Sequence, residues 1–214
     1  MTSATTDRAR VPRRDRGFEL VAVLLLGVAT LGSAWCGYQA SRWNGEESRL
    51  TSQSSNELVE GARLFGLAIQ TVSYDSTVVA QYAQAVSSGN EGLQEFYRTT
   101  LIRPAFLPTL ERWEAEIEAG RRPGNLLEDE NYRNEQLADY EAVQARAAAS
   151  SAEAQEAGEN SDDFILITVL FASALFFAGV TTSFRLRSAQ ALLLLAAGMT
   201  IAYAAARLSG LPVA

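Results

Sequence analysis

Residues 164–184, FILITVLFASALFFAGVTTSF, and residues 189–206, AQALLLLAAGMTIAYAAA, contain no charged side chain, and only Arg185-Leu186-Arg187-Ser188 separates them. A third apolar run, residues 18–38, carries one charge, Glu19, at its edge. Runs of this length let an α-helix cross a hydrocarbon layer of ~30 Å with its backbone groups paired within the helix. The sequence therefore predicts an integral membrane protein with spans at 18–38, 164–184 and 189–208.

Arginine is distributed unevenly about these spans. Five arginines lie in residues 1–17, and two lie in the turn at 185–188. Because positive residues favour the cytoplasmic side of a membrane, both segments are expected there. Residues 39–163 and the tail at 209–214 are then outside. This pattern indicates a multi-pass protein of the bacterial cytoplasmic (inner) membrane with a cytoplasmic amino terminus.

Acidic residues dominate the segment between the first and second spans. Residues 39–163 contain 10 arginines and 22 aspartates and glutamates. Such an excess of negative charge repels phosphate, so nucleic acid is not expected as a partner. The chain contains no histidine, which removes the commonest metal ligand and general base. All 18 cations are arginine, which we interpret as the codon bias of a GC-rich bacterial genome.

The first span has a competing interpretation. Its basic leader and the sequence Gly32-Ser33-Ala34 also fit a cleaved secretory signal, although the apolar run is long for a signal and continues through Trp35 and Tyr38. A lipoprotein site at Cys36 is disfavoured because bulky Trp35 precedes it. Cys36 is the only cysteine, so no internal disulfide can form. A small buried hydrophobe and an intermolecular disulfide remain as its two interpretations.

The segment 39–163 has the pattern of helix throughout. No proline occurs between Arg13 and Arg103, and an apolar residue recurs every seven positions, which is typical of coiled-coil packing. Asp75 interrupts the pattern. The predicted stalk seam consists of Leu58, Phe65, Val72, Val79 and Val86.

Turn signals divide this segment into four helices. Residues 87–92, SSGNEG, and 120–125, GRRPGN, are rich in turn formers, and Pro104 and Pro108 interrupt the stretch between them. The first helix leaves the membrane and the last one returns, so we expect the order away, back, away and back. The sequence therefore predicts an all-α fold, in which a helical hairpin or four-helix bundle on a two-helix neck is inserted between the first two spans.

The neck is rich in serine and alanine. Small side chains let helices approach closely but bury little apolar area, which stabilises at ~25 cal/mol per Å². Such a neck is weak alone, so we expect the stalk to pair with a second copy. Pairing within the chain, with residues 128–163, is the alternative.

Acidic residues cluster at 111–118 and 128–130, on either side of a turn. The cluster could collect a hard cation, but no calcium-loop pattern accompanies it, so a solvated helix face is the expected state. The chain has no glycine-rich phosphate loop, nucleophile elbow or thiol–imidazole pair. We therefore predict no metal, no cofactor and no catalytic residue, and do not expect an enzyme.

Aromatic residues and an arginine surround the end of the first span. Trp35, Tyr38 and Arg42 share a helix face through their three- and four-residue spacing, and Trp43 follows. Such residues anchor a helix at the membrane interface, and the guanidinium can also reach a ring or a lipid phosphate. These four residues are the candidates for contact with membrane lipid or a partner.

Small residues at four-residue spacing mark helix-packing faces in the last two spans. The stripes are Ala174, Ala178 and Thr182, and Gly198, Ala202 and Ala206. Because the turn between these spans is short, we expect the two stripes to face each other. Asp162 and Asp163 lie near the depth of Arg207, where an ion pair between helices can form.

Several stretches resemble a group of bacterial three-span membrane proteins without an assigned activity. They are GYQASRW at 37–43, FYR at 96–98, RPAFLP at 103–108, and SDDF at 161–164 leading into TVLFA at 168–172. The likeness covers most of residues 18–206, and the Tyr-Gln-Ala stretch alone is distantly similar to the domain-of-unknown-function family 4337. The resemblance implies a membrane location and a helical architecture, and it transfers no functional residue.

These features favour a non-enzymatic assembly or scaffold protein that meets partners or its own copies through its outer helices. The cytoplasmic parts are 17 residues and a four-residue turn, which is too little for a signalling domain. One alternative is a subunit of an oligomeric channel or transporter, which needs several copies because no ionisable residue lies mid-membrane. The other is a sensor that signals laterally to a membrane-protein partner.

Overall fold

The computed structural model describes residues 15–121, 124–184 and 186–214. Within these residues the chain is helical and contains no strand, which confirms the all-α prediction. The α-helices are α1 (Asp15–Ser87), α2 (Glu91–Phe96), α3 (Leu107–Glu118), α4 (Glu130–Val180) and α5 (Arg187–Leu208). A π-helical turn (Tyr97–Leu101) and three 3₁₀ turns (Pro104–Phe106, Leu126–Glu128 and Thr181–Ser183) complete the described elements.

Three of these helices, α1, α4 and α5, are long and apolar enough to cross a membrane. This confirms the three apolar helices predicted from sequence. Most of the arginine-rich leader, residues 122 and 123 of the second turn, and Arg185 lie outside the described residues.

Glycine and proline set the helix ends where the sequence predicts turns. Helix α1 ends at Ser87, and Gly89 follows with φ of +67°, a left-handed conformation that glycine adopts without steric cost. Asn90 caps α2 because its side-chain Oδ1 accepts a hydrogen bond from the Leu93 amide at 3.1 Å. Pro104 and Pro108 both lie in the first turn of a helix, where proline's missing N–H is tolerated.

The described chain forms two compact units. The first contains residues 15–50 and 152–214, and the second contains Thr51–Ser151. Helices α1 and α4 contribute to both units, whereas α5 belongs to the first and α2 and α3 to the second.

The core of the first unit pairs small residues with large ones. Its buried members are Ala29, Cys36, Ala40, Phe164, Ile167, Phe171, Ala174 and Ala204. The Ser161 hydroxyl donates to the Ala40 carbonyl at 3.0 Å and is itself buried. Such bonds between small residues let membrane helices pack closely. The predicted ion pair between Asp163 and Arg207 is present, with a separation of 3.2 Å.

The core of the second unit gathers side chains from α1, α3, α4 and the turns around Pro104. We call it the distal cluster; its buried members are Val78, Val79, Tyr82, Ile102, Phe106, Leu110 and Tyr132. The rings of Phe106 and Tyr132 meet edge to face, with centroids 5.1 Å apart.

Burial along α1 in the second unit follows a seven-residue spacing. The buried positions at this spacing are Ser54, Gly61, Ala68, Asp75 and Tyr82. Ser54, Gly61 and Ala68 have small side chains or none. The Ser54 hydroxyl donates to the Ala147 carbonyl of α4 at 3.0 Å. Small side chains let α1 and α4 approach closely along this face.

The predicted stalk seam lies beside that buried face. Val79 is buried, and Val72 and Val86 pack against the distal cluster. Leu58 and Phe65 are 50% and 44% exposed, because α1 contacts α4 through its small residues at this level.

Candidate functional site

An exposed and uncharged stripe runs along α1 in the second unit. We call it the uncharged face; it consists of Ser55, Leu58, Ala62, Phe65, Ile69 and Ser73, all of them exposed. Their three- and four-residue spacing places them on one side of the helix. Ile69 is 51% exposed, so this stripe presents large apolar side chains that the fold does not cover.

Three charged residues of α1 flank the uncharged face. Glu57 accepts hydrogen bonds from Gln53 at 3.2 Å and from Ser150 of α4 at 3.0 Å. Glu60 and Arg63 bond to each other through two contacts of 2.8 and 2.6 Å. The ring of Phe65 lies against Tyr140 of α4, with centroids 5.2 Å apart. The apolar surface therefore extends from α1 onto an aromatic residue of α4.

The interface candidates at the end of the first span occupy two different environments. Trp35 and Tyr38 are 47% and 52% exposed, with ring centroids 6.0 Å apart. Arg42 is exposed on the same helix face. Trp43 packs against the core of the first unit, and its Nε1–H donates to the Pro212 carbonyl at 3.3 Å.

Some of the helix-packing candidates are buried and others are exposed. Ala174 and Ala178 of α4 are fully buried. On α5 the buried residues are Leu194, Ala197 and Ala204, whereas Gly198 is partly exposed and Ala202 and Ala206 are exposed. The buried side of α5 thus carries a leucine and two alanines, which fill more space than the predicted Gly198 stripe would.

Asp75, which interrupts the apolar pattern, is held in the second unit by two partners. It is 2% exposed, and its carboxylate accepts bonds from Arg103 at 2.9 and 2.5 Å and from the Tyr132 hydroxyl at 2.7 Å. Burial and the neighbouring carboxylate raise the pKa of Tyr132. The group ties α1 to α4 and to the residue before Pro104. A lone acid within an apolar repeat was the only sequence signal for it.

A second group of the same composition surrounds Glu114 of α3. The Tyr82 hydroxyl donates to one carboxylate oxygen, and Arg98 donates to the other at 2.7 Å. Burial, followed by the hydrogen bond to Glu114, raises the pKa of Tyr82 to about 12. Both groups hold their acids in ion pairs and connect helices, which is a stabilising role.

Asp129, in the acidic cluster at the turn before α4, also has hydrogen-bond and ion-pair partners. Asp129 accepts a bond from the Tyr132 amide at 3.0 Å, which lowers the pKa of its carboxyl, and it pairs with Arg112 at 2.9 Å. Among the residues that the structure describes, no three cysteine, aspartate or glutamate side chains converge as a metal site would require.

No protein-family model matches the chain, and neither a curated protein nor a solved structure shows significant similarity to it. Functional inference therefore depends on the geometry of the described residues.

Proposed function

We propose that the protein is a non-enzymatic membrane scaffold whose copies assemble through the uncharged face of α1. In this arrangement residues 39–163 form a helical hairpin outside the cytoplasm, anchored by the first two spans. The observation that carries the proposal is the exposure of Leu58, Phe65 and Ile69 on one side of a helix that has no charge there. Contiguous exposed apolar surface is typical of an interaction site.

Electrostatics favours a second copy as the occupant. The segment 39–163 holds 22 acids against 10 arginines, so two copies repel each other over most of their surface. Contact is least opposed where both copies lack charge, and the uncharged face meets that condition. A strongly basic partner would instead be drawn to the acidic surfaces elsewhere on the segment.

Anchoring in the membrane determines the orientation in which two copies meet. Copies in one membrane share the same orientation and depth, so a two-fold axis along the membrane normal brings each residue of the face near its own equivalent. The small Ala62 lies between Leu58 and Phe65 in sequence and allows the two helices to approach closely. The expected assembly is a parallel pair with like residues in contact.

The test is the mass of the full-length protein in a mild detergent, by light scattering corrected for bound detergent. The wild type is expected to contain at least two copies. Ile69→Asp places a charge on the uncharged face and is expected to yield a single copy, because each dimer would then bury two unpaired carboxylates.

Leu67→Asp is the matched control, because Leu67 is 47% exposed on the opposite side of α1. It is expected to assemble like the wild type, and helical content by circular dichroism should be the same in all three proteins. A wild type that is a single copy well above micromolar concentration contradicts the proposal.

A further inference from the structure

A cavity of about 310 Å³ lies in the second unit, between α3 and the turn that leads into α4. Its volume is at the lower end of the range for sites that hold small molecules, ~300–1,000 Å³. Trp113 of α3 forms an aromatic part of its wall. The same side chain packs against the distal cluster, so the fold holds the indole ring in place beside the cavity.

The lining of this cavity has an excess of negative charge. Among the residues described there, the carboxylates of Glu116, Glu128 and Asp129 oppose one guanidinium, that of Arg112. Arg112 and Asp129 neutralise each other in an ion pair of 2.9 Å. Neither Glu116 nor Glu128 forms an ion pair with an arginine that the structure describes. Two carboxylates therefore remain uncompensated, and they favour a cation as the ligand.

Most of the hydrogen-bond acceptors around the cavity already have partners. Glu128 accepts a bond from the Asn125 side-chain amide at 3.3 Å. Arg112 donates to the Asp129 carboxylate at 2.9 Å and to the Thr109 hydroxyl at 3.1 Å. A metal ion needs several oxygens that converge, and no three acidic side chains do so in the described part of the chain. The cavity therefore suits a ligand that carries positive charge but needs neither a coordination shell nor N–H acceptors.

We infer that this cavity binds a small organic cation of the quaternary ammonium class. The face of an indole ring attracts such a cation through its quadrupole, and tryptophan is the most effective side chain for this contact. The methyl groups of the ligand pack against Trp113, and Glu116 and Glu128 supply the opposing charge. The cavity shares no residue with the uncharged face, so this binding does not depend on assembly of the protein.

The test is equilibrium dialysis of the full-length protein, in a non-ionic detergent at physiological salt, against radiolabelled choline. Neohexyl alcohol is the matched ligand, because it has the shape of choline with carbon in place of the charged nitrogen. The wild type is expected to bind choline saturably. At least about tenfold more neohexyl alcohol than unlabelled choline should be needed to displace the label, since the alcohol lacks the cation that the ring and the carboxylates attract.

Two variants test the named side chains. Trp113→Leu removes the aromatic face and is expected to weaken choline binding about fivefold or more. Because Trp113 also packs against the distal cluster, Glu116→Gln is the second variant; it leaves that packing in place and is expected to weaken binding about threefold. Glu118→Gln is the control, since it removes the same charge from an exposed position of α3 outside the lining and should bind choline like the wild type.

Saturable choline binding that is weakened in Glu116→Gln and unchanged in Glu118→Gln supports the inference. Failure of the wild type to approach saturation at ~10 mM choline overturns it, because a weaker association would not be specific. Equal displacement by neohexyl alcohol, or wild-type affinity in both Trp113→Leu and Glu116→Gln, also overturns it. An equal loss in Glu116→Gln and Glu118→Gln does the same, since it would show attraction to the overall acidic charge.

Discussion

The ring of Phe171 lies directly against the backbone of Gly32, so that a β-carbon on Gly32 would be 2.6 Å from the ring Cζ. Phe171 is 4% exposed and has little room to move away. Position 32 therefore requires glycine, and the contact fixes the registration of α1 against α4 within the first unit.

Replacing this glycine should destabilise the first unit. Gly32→Ala is expected to lower the free energy of unfolding by ~1–3 kcal/mol, the usual cost of overpacking a filled core. The measurement is the midpoint of thermal unfolding in detergent. Gly37→Ala is the control, since a β-carbon there meets nothing within 4 Å and alanine favours helix. Equal midpoints for the two variants would show that the Phe171 contact is not restrictive.

Neutralising the buried Asp75 of the second unit should destabilise the protein more than neutralising an exposed acid. Asp75→Asn is expected to lower the free energy of unfolding by ~3 kcal/mol. This value is the lower end of the range for breaking a buried ion pair, because Arg103 remains partly exposed to water. Denaturant unfolding followed by circular dichroism measures this cost. Glu60→Gln breaks an exposed pair on the same helix and should change stability little. A smaller loss for Asp75→Asn than for Glu60→Gln would contradict the stabilising role of the Asp75 group.

Alkaline pH should weaken the second unit through Tyr82. Its pKa is raised from 10.0 to about 12, so the folded state holds the proton more tightly than the unfolded state does. This contribution to stability is complete below pH 10 and is lost as the pH rises towards about 12. Unfolding midpoints across that window should fall in the wild type and fall less steeply in Tyr82→Phe. An identical slope in both proteins would exclude Tyr82 as the source.

Orientation in the membrane can be tested with single cysteines. In a Cys36→Ser background, cysteines replacing Ser87 and Ser188 are expected to react oppositely with an impermeant thiol reagent in intact cells. Ser87 lies in the segment predicted outside, and Ser188 lies in the turn predicted inside. Both positions are exposed, so access depends on the membrane alone. Labelling of both, or of the Ser188 position only, would refute this topology.

The helical architecture was predictable because it depends on local signals. Long uncharged runs, the glycine at position 89 and the prolines at 104 and 108 act within a few residues of themselves. The buried side of α1 was less predictable, since the sequence favoured the larger residues Leu58 and Phe65. The structure instead packs Ser54 and Gly61 against α4, because close backbone approach and a hydroxyl bond outweigh apolar area there.

The candidate sites were likewise predictable only where they depend on neighbouring residues in the sequence. The sequence indicated the interfacial cluster around Arg42, since aromatic spacing is a local property. It did not reveal that Asp75 would contact Arg103 and Tyr132, because these two residues lie 28 and 57 positions after Asp75 in the sequence. Nor did it reveal the burial of Gln39, which depends on the packing of the whole first unit.

Disulfide formation between copies in native membranes tests assembly through the uncharged face most directly. In a Cys36→Ser background, Ala62→Cys is expected to form an intermolecular disulfide under mild oxidation, because like residues in a parallel pair lie within the ~4 Å that joined β-carbons require. Leu67→Cys, on the opposite side of α1, is expected to remain reduced. Crosslinking of Leu67→Cys to the same extent, or none with Ala62→Cys, would contradict the account.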